Sequence, residues 1–266
     1  MIRVGVIGAL GKMGQLVCRA VAEHPDLVLV AAINPSRPGV NIGQVIGDPS
    51  VDVEVSPQLE TLLQAETEVA VDFTQPDAVM ENIRWCVDHA MHMVVGTTGI
   101  GPDELDVIQG WIDQEGGDAH VIIAPNFALG AVIAQRFAEA AARFFPAAEI
   151  IELHHEQKVD APSGTAAATA SRMAEAREEK WTGPDAEKVP GVRGGEVEGI
   201  RVHSVRLPGL VAHQDVIFGA LGQTLSIRHD AYDRTCYLPG VVLAIKEIAT
   251  RPGLTVGLEP ILGLDS

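Results

Sequence analysis

The sequence is poor in cysteine and in basic residues. Its three cysteines, Cys18, Cys86 and Cys236, are widely spaced and form no CxxC pair, so neither a disulfide framework nor a cysteine zinc site is indicated. We therefore expect a reducing, cytoplasmic environment. The chain has 19 Lys and Arg residues against 36 Asp and Glu residues, a formal net charge of −17. This acidity argues against nucleic acids and anionic membranes as partners, because basic residues supply the affinity for both.

Long hydrophobic runs are also missing. No apolar run reaches the roughly 18–20 residues that span a bilayer, so we expect no membrane segment. The first residues are interrupted by glycines and lack a small-residue cleavage site, so we expect no signal peptide. The hydrophobic fraction is nevertheless 47%, which is too high for a disordered chain. A length of 266 residues suits one large domain or two small ones.

Short apolar runs alternate with helical stretches through the first half of the chain. The predicted strands are Ile2–Ile7, Leu27–Ile33, Val69–Phe73, His92–Val95 and His120–Ala124. The predicted helices are Lys12–Glu23, Pro76–His89 and Pro102–Gln114. Strands that alternate with helices are typical of βαβ units, so we predict an α/β fold with a parallel sheet.

The pattern changes after Pro125. Two Ala-rich helices are predicted at Gly130–Phe145 and Gly164–Glu179, and Trp181–Gly199 is expected to be a mobile loop. Strands are predicted at Glu149–Glu156, Gly199–Arg206, Leu210–Ala220 and Gln223–His229, followed by a helix at Pro239–Thr250 and a strand at Leu254–Gly257. This is an α+β pattern with an open sheet, which we expect to be antiparallel. We predict a first domain at 1–127, to which 236–266 returns, and a second domain at 128–235.

A glycine-rich loop joins the first predicted strand to the first predicted helix. Gly8, Gly11 and Gly14 form G-x-x-G-x-x-G at the point where a dinucleotide-binding fold turns tightly and lets a pyrophosphate approach the backbone. The helix that follows offers free N–H groups and a positive dipole to the phosphates. The alternative is a plain turn between strand and helix that binds nothing. The predicted cofactor-binding residues of this loop are Gly8, Ala9, Leu10, Gly11, Lys12, Met13 and Gly14.

The end of the second predicted strand bears on the choice of cofactor. An acidic residue there usually holds the ribose hydroxyls of NADH, but this chain has Asn34. Arg37 and Lys12 lie nearby and would attract the 2′-phosphate of NADPH, unless they are simply solvated charges. We predict that NADPH is used at least as well as NADH.

Three further predicted strands end in small or polar residues. In open α/β sheets, ligands bind beyond the carboxyl ends of the strands. Residues at these ends are therefore candidates to line the site of the nicotinamide, although ordinary turn chemistry is the alternative. They are Phe73 and Thr74, then Gly96, Thr97 and Thr98, and finally Ala124, Pro125, Asn126 and Phe127.

The segment from Glu152 to Ala166, ELHHEQKVDAPSGTA, concentrates the titratable chemistry. His154 and Lys158 could each deliver a proton. Ser163, Gly164 and Thr165 open the next helix, whose free N–H groups could hold a carboxylate. A site for a small dicarboxylate is therefore predicted. Adjacent strand residues point to opposite faces, so His154 and His155 do not naturally share a metal ion, and no metal site is predicted.

These motifs together resemble the dihydrodipicolinate reductase family, also called 4-hydroxy-tetrahydrodipicolinate reductases, of lysine and diaminopimelate synthesis. The matching stretches follow the order of the family, and HHEQKVDAPSGTA is highly specific to it. The resemblance implies a Rossmann-like parallel-sheet cofactor domain and a second α+β domain with an open mixed sheet that builds a homotetramer. Asn34 departs from the family, whose members often carry an acidic residue there.

The resemblance also implies roles for the site residues. His154 would be the proton donor or acceptor, and Lys158 a second proton donor. His155, Gly164 and Thr165 would bind the carboxylates of a heterocyclic dicarboxylate, with Ser163 beside them. The implied reaction consumes NADPH or NADH and yields tetrahydrodipicolinate. Two alternatives remain open: another two-domain nicotinamide dehydrogenase, acting on an aspartate- or sugar-derived substrate, and a dinucleotide-sensing protein without catalysis.

Overall fold

The computed structural model describes residues 1–178, 183 and 186–264. The chain divides into two compact units. One consists of Met1–Leu129 together with Tyr237–Ser266, and the other of Gly130–Cys236. The carboxyl-terminal segment thus belongs to the same unit as the amino-terminal half.

The regular elements of the described chain follow in order. The strands are β1 (Ile2–Ile7), β2 (Leu27–Ile33), β3 (Val55–Ser56), β4 (Val69–Asp72), β5 (His92–Val95), β6 (Val121–Ile123), β7 (Ala147–His154), β8 (Gly195–Val197), β9 (Ile200–Arg206), β10 (Ala212–Ala220), β11 (Gln223–Ala231) and β12 (Leu254–Val256). The helices are α1 (Lys12–Glu23), α2 (Ile42–Ile46), α3 (Glu60–Gln64), α4 (Pro76–Asp88), α5 (Pro102–Gln114), α6 (Leu129–Ala142), α7 (Gly164–Ala176), α8 (Leu238–Glu247) and α9 (Glu259–Leu262).

The first unit is built on a parallel sheet with the order β12-β6-β5-β4-β1-β2-β3. Its central strands are almost entirely buried, as parallel strands covered by helices on both faces must be. From β1 the chain runs outward to β2 and β3, whereas β4, β5 and β6 follow on the other side. The sheet therefore changes direction between β1 and β4, where ligands bind in folds of this class.

Three short elements between β2 and β4 were missed by the sequence analysis. They are α2, β3 and α3, which have five, two and five residues. Elements this short do not complete the periodic pattern on which the predictions rest. The run predicted as the third strand is consequently β4.

The second unit carries a sheet with the order β11-β10-β7-β9-β8. The expectation of an antiparallel sheet was wrong, because β7 and β9 pair in parallel while the other neighbours are antiparallel. A crossover that contains α7 makes this parallel pair possible. The predicted fold class, a Rossmann-like parallel sheet with a second α+β unit and an open mixed sheet, is confirmed.

Several predicted boundaries need correction. The strand predicted at Glu149–Glu156 is β7, which ends at His154, so His155 lies beyond the sheet. Part of the loop predicted at Trp181–Gly199 forms β8, while residues 181, 182, 184 and 185 lie outside the described chain. Glu179, the predicted end of the second Ala-rich helix, also lies outside it.

Candidate active site

The loop between β1 and α1 lies where the sheet of the first unit changes direction. Gly8 has a φ of +82°, a conformation that side chains disfavour. A Cβ at Gly8 would lie 2.5 Å from the carbonyl oxygen of Phe73, and a Cβ at Gly14 would lie 2.1 Å from that of Gly8. The fold itself therefore requires glycine at both positions, and the backbone of the loop is left bare.

The amino-terminal end of α1 fits a phosphate group. Within the described residues, no side chain caps this end and no acidic residue lies in its first turn. The positive end of the helix dipole is thus available to an anion. The Gln15 amide donates a hydrogen bond to the Leu10 carbonyl at 2.8 Å, which fixes the preceding loop. The predicted residues Lys12 and Met13 lie in this first turn.

The end of β2 carries Asn34 in a local turn. Its side-chain oxygen accepts hydrogen bonds from the Ser36 N–H at 3.0 Å and the Ser36 hydroxyl at 2.6 Å. Arg37 follows in a left-handed conformation, with a φ of +54°. Both Arg37 and Lys12 are exposed. The carbonyl of Ile33, at the end of β2, accepts hydrogen bonds from Gly8 and Ala9 of the glycine loop.

A buried carboxylate joins the ends of β4 and β5. Asp72 is fully buried, and one of its oxygens accepts hydrogen bonds from the hydroxyls of Thr74 at 2.7 Å and Thr97 at 2.6 Å. Asn82 donates to its other oxygen at 2.8 Å. Burial raises the pKa of Asp72, although these hydrogen bonds oppose the rise. Thr74 and Thr97 were predicted to line the site of the nicotinamide, and the hydroxyls of both are directed to Asp72. The Thr74 N–H also donates to the Thr97 hydroxyl at 2.8 Å, so the two residues fix the backbone at the ends of β4 and β5.

Small residues make room beside an aromatic pair in this region. The rings of Phe73 and Phe127 lie 5.9 Å apart. A Cβ at Gly96 would lie 2.1 Å from the Phe73 ring, so only glycine allows the ring to occupy that place. Asn126 accepts a hydrogen bond from the Ala128 N–H at 2.9 Å and fixes the loop after β6. Ala124 is buried, whereas Thr98 and Pro125 are exposed.

The second unit presents His154 at the end of β7. Its Nδ1 lies 2.5 Å from Oε2 of Glu152, and its side chain is 14% exposed. Glu152 is two positions earlier on the same face of the strand and is fully buried. Arg206, beside His154 in the register of β7 and β9, donates to both oxygens of Glu152 at 2.8 and 2.9 Å. His154 is therefore held at the edge of a buried ion pair.

Burial and charge set the ionisation of this group. Burial lowers the pKa of His154, and the positive charges of Lys158 and Arg206 lower it further, against the opposing effect of Glu152. Burial alone would raise the pKa of Glu152, but hydrogen bonds from Arg206, Ser204 and His154 bring it below its ordinary value. At neutral pH, Glu152 is therefore ionised and His154 is mostly neutral.

Lys158 lies in the turn that follows β7. Its N–H donates to the carbonyl of His155 at 3.1 Å, and its ammonium lies 2.7 Å from Oδ1 of Asp160. This hydrogen bond lowers the pKa of Asp160. Arg206 donates to the carbonyls of Lys158 at 3.3 Å and Asp160 at 2.6 Å. The backbone of the turn is thus held by Arg206, and the Lys158 side chain does not have to support it.

Helix α7 begins beside this turn. Ser163 is its N-cap and accepts a hydrogen bond from the Ala166 N–H at 3.2 Å, so the helix starts where the sequence analysis predicted. The Ser163 N–H donates to Oε1 of Glu152 at 3.3 Å. The first N–H groups of a helix have no partner within the helix, so those of Gly164 and Thr165 are available to a carboxylate. A Cβ at Gly164 would meet nothing within 4 Å among the described residues.

Three polar residues of these sites were missed by the sequence reasoning. Glu152 had a usable signal, because residues two apart on a strand share a face, and His154 is two positions away. Asp72 could have been suspected as an acid inside an apolar strand. Arg206 had no local signal, because it lies 54 positions from Glu152 and reaches it only through strand pairing.

None of the helices in the described part of the chain combines the length and apolar character needed to cross a bilayer. The same residues contain no cluster of three or more His, Cys, Asp or Glu side chains that could hold a metal ion.

Comparison with protein families gives two matches that together cover nearly all of the chain. A model described as dihydrodipicolinate reductase, N-terminus, matches residues 2–127, and one described as dihydrodipicolinate reductase, C-terminus, matches residues 130–262. A relative from Nocardia farcinica named 4-hydroxy-tetrahydrodipicolinate reductase is 52% identical over 99% of both chains. One from Mycobacterium marinum with the same name is 50% identical over 98% of this chain and 99% of its own.

Solved structures agree with these matches. A dipicolinate-bound dihydrodipicolinate reductase from Paenisporosarcina sp. TG-14 is 40% identical, with a TM-score of 0.87 over 98% of this chain and 99% of its own. An amine dehydrogenase from Mycobacterium smegmatis is similar in fold alone, with 16% identity and a TM-score of 0.66 over 96% of this chain and 94% of its own.

Proposed function

The chain belongs to the dihydrodipicolinate reductase family, and from this membership we propose that it converts 4-hydroxy-tetrahydrodipicolinate to tetrahydrodipicolinate with a reduced nicotinamide dinucleotide. It is thus an NAD(P)H-dependent oxidoreductase of lysine and diaminopimelate biosynthesis. The observation that carries the proposal is the juxtaposition in the second unit of His154, Lys158 and the start of α7. These groups combine proton transfer with anion binding, and the relative of solved structure is described as dipicolinate-bound.

The substrate is a ring with two carboxylates, and the second unit offers donors for them. The N–H groups of Gly164 and Thr165, at the positive end of α7, would bind one carboxylate. The Ser163 and Thr165 hydroxyls, His155 and the Lys158 ammonium are the further donors proposed for this ring. Lys158 would exchange its hydrogen bond to Asp160 for one to the substrate. Because that ammonium is partly buried, its attraction for a carboxylate is stronger than in water.

Proton transfer falls to His154. The substrate loses water, and its conjugated ring then takes up a hydride and a proton. A reduced nicotinamide bound by the first unit would supply the hydride. His154 is mostly neutral without substrate. The two carboxylates of a bound substrate would favour the imidazolium and raise the pKa of His154. The Nε2–H of that imidazolium would donate the proton, with Lys158 as a second donor.

The first unit would hold the cofactor. The glycine loop and the uncapped start of α1 fit its pyrophosphate. Phe73, Thr74, Gly96, Thr97 and Thr98 would line the site of the nicotinamide with Ala124, Pro125, Asn126 and Phe127. Because the Thr74 and Thr97 hydroxyls are bound to Asp72, backbone groups are the hydrogen-bonding partners we propose for the ring amide there.

A steady-state assay with freshly generated substrate tests both the activity and the cofactor choice. We expect turnover with either cofactor and a kcat/KM for NADPH at least equal to that for NADH, because Asn34 does not repel a 2′-phosphate and Arg37 attracts it.

The variant Arg37→Gln should raise the KM for NADPH about tenfold, the value of one charged hydrogen bond, and leave that for NADH unchanged. NADH thus serves as the internal control. Binding of NADPH without turnover would instead support a dinucleotide sensor, and a strong preference for NADH would refute the cofactor prediction.

A substitution at Gly164 tests substrate binding separately from the stability of the fold. We expect Gly164→Val to raise the Kd of pyridine-2,6-dicarboxylate at least about tenfold, because its branched side chain occupies the space in front of the free N–H groups. A Cβ there meets nothing in the described chain, so the melting temperature should change little, contrary to a loss of stability that helix-start arguments alone would suggest. The measurements are calorimetric titration and thermal unfolding. The control is Gly110→Val. Gly110 is a helical glycine of the first unit with equally open surroundings, so this variant should keep the wild-type Kd. Wild-type affinity in Gly164→Val would remove α7 from the proposed site.

Assembly and location follow as further parts of this proposal. Helices α6 and α7 contribute Ala138, Ala166 and Met173 to the core on one face of the five-stranded sheet. The opposite face carries partly exposed apolar side chains, among them Ile151 and Leu153 of β7. We propose that this face builds a homotetramer, as the resemblance implies, and that the protein works in the cytoplasm.

A further inference from the structure

A wholly buried carboxylate lies directly behind His154. Glu152 has no exposed surface, and its two oxygens accept hydrogen bonds from His154, from both terminal nitrogens of Arg206 and from the Ser163 N–H. A buried charge is costly unless it is paired and hydrogen-bonded, and Glu152 is both. The carboxylate is therefore fixed on several sides before any substrate arrives.

This arrangement determines which nitrogen of His154 carries a proton. An ionised carboxylate can only accept hydrogen bonds, so the ring nitrogen 2.5 Å away, Nδ1, must be the N–H donor. In the neutral ring, Nε2 is then the basic nitrogen. It is the atom that gains and loses the mobile proton.

We propose that Glu152 is a positioning residue for the reduction: it fixes the ring of His154 and its Nδ1–H tautomer, so that Nε2 presents the transferable proton to the substrate. This inference rests on the proposed role of His154. Arg206 completes the arrangement. Its two terminal nitrogens donate to Glu152, and its guanidinium also donates to the carbonyls of Lys158 and Asp160. One guanidinium thus fixes the position of His154, through Glu152, relative to the backbone of Lys158, the second proposed proton donor.

The variant Glu152→Gln distinguishes this role from simple charge balance. Its amide oxygen, in the place of Oε1, can still accept from Nη2 of Arg206 and from the Ser163 N–H. Its NH2 group would replace Oε2, lose the bond from Nη1 of Arg206 and face Nδ1 of His154. That group is a donor, so Nδ1 must become an acceptor and the neutral ring must shift to the Nε2–H tautomer. Loss of the negative charge also lowers the pKa of His154, which Lys158 and Arg206 already depress.

The same strand provides a matched control. Glu149 bonds Nε2 of His203 at 2.7 Å, and this pair lies outside the proposed site. Glu149→Gln also removes a carboxylate that is bound to both a histidine and an arginine, Arg193. It should alter the spectrum of His203, leave that of His154 unchanged and preserve kcat.

The first test needs no activity. In ¹⁵N-histidine NMR spectra of the full chain, with the signals of His154 identified by their loss in His154→Gln, we expect the Nδ1–H tautomer in the wild type. Glu152→Gln should show the Nε2–H tautomer and a lower pKa. A wild-type His154 in the Nε2–H tautomer would overturn the inference, whether or not any variant folds.

The second test is kinetic. We expect Glu152→Gln to lower kcat about 10- to 100-fold, part of the contribution of a positioned proton donor, and to shift the alkaline limb of the kcat profile to lower pH. The Kd of pyridine-2,6-dicarboxylate should change less than about threefold, because the first N–H groups of α7 remain. Glu152→Asp keeps the charge and should recover part of the lost kcat.

The outcomes separate this inference from the proposed function. If His154→Gln is inactive but Glu152→Gln keeps the wild-type kcat and pH profile, the role of Glu152 is wrong and that of His154 stands. If His154→Gln itself turns over normally, the proposed function of the site fails first. Should Glu152→Gln not fold, Glu152→Asp and the wild-type spectrum still decide.

Discussion

Replacing His154 with glutamine lowers kcat by about 100-fold or more, while the affinity for pyridine-2,6-dicarboxylate falls only slightly. General acid catalysis by a positioned side chain contributes roughly 10²–10⁴ in rate, and glutamine keeps the polarity of the ring without a transferable proton. Burial of Glu152 and the bonds of Arg206 do not depend on the imidazole, so the site should otherwise keep its shape. Steady-state kinetics with saturating cofactor measures the change.

The pH dependence of the wild type gives the same group a second signature. Because His154 acts as an acid, activity is present below its pKa and lost as the pH rises through it. Burial holds that pKa below 6.5 in the free chain, and the bound dicarboxylate raises it. The alkaline limb of kcat should therefore lie at higher pH than that of kcat/KM. In His154→Gln this limb should disappear.

His203→Gln is the control for His154→Gln. His203 also bonds a glutamate of β7, Glu149, but lies outside the proposed site. Its kcat and pH profile should match those of the wild type. Equal losses of kcat in the two variants would show that His154→Gln acts by disturbing the structure of the sheet and not by removing a proton donor.

Replacing Lys158 with methionine lowers kcat/KM by about 100- to 1,000-fold. A hydrogen bond to a charged group is worth about 1.5–3 kcal/mol, which corresponds to about a 10- to 100-fold rise in KM. Loss of the second proton donor should add about a tenfold fall in kcat. Methionine keeps most of the length of the side chain without its charge, and Arg206 holds the backbone carbonyls of Lys158 and Asp160 in either case.

Lys246→Met is the matched control for this experiment. Lys246 bonds the carboxylate of Asp26 at 2.8 Å on the first unit, as Lys158 bonds Asp160 at 2.7 Å. The control removes an equivalent Lys–Asp pair without touching the proposed site, so both KM and kcat should stay at wild-type values. An unchanged KM in Lys158→Met would show that the ammonium does not bind the substrate, and an unchanged kcat would exclude it as a proton donor.

Much of the fold was readable because its signals are local. The strands β1, β2 and β5 and the helices α1 and α5 begin and end at the predicted residues, since apolar periodicity, glycine and proline mark them within the segment itself. The short α2, β3 and α3 carry no such repeat. The parallel pairing of β9 with β7 could not be predicted from the sequence either, because it depends on the crossover that connects the two strands.

The amino-acid sequence alone determined the alternation of strands and helices, the bare glycine loop before α1 and the residue types that can bind an anion and move a proton. These depend on neighbours along the chain, so spacing is enough to reveal them. Tertiary structure alone decided that the Thr74 and Thr97 hydroxyls turn to Asp72 and that Arg206 and Glu152 stand behind His154. The physical reason is that strand pairing brings distant residues into one buried, low-dielectric place, and only there do their charges fix each other's ionisation.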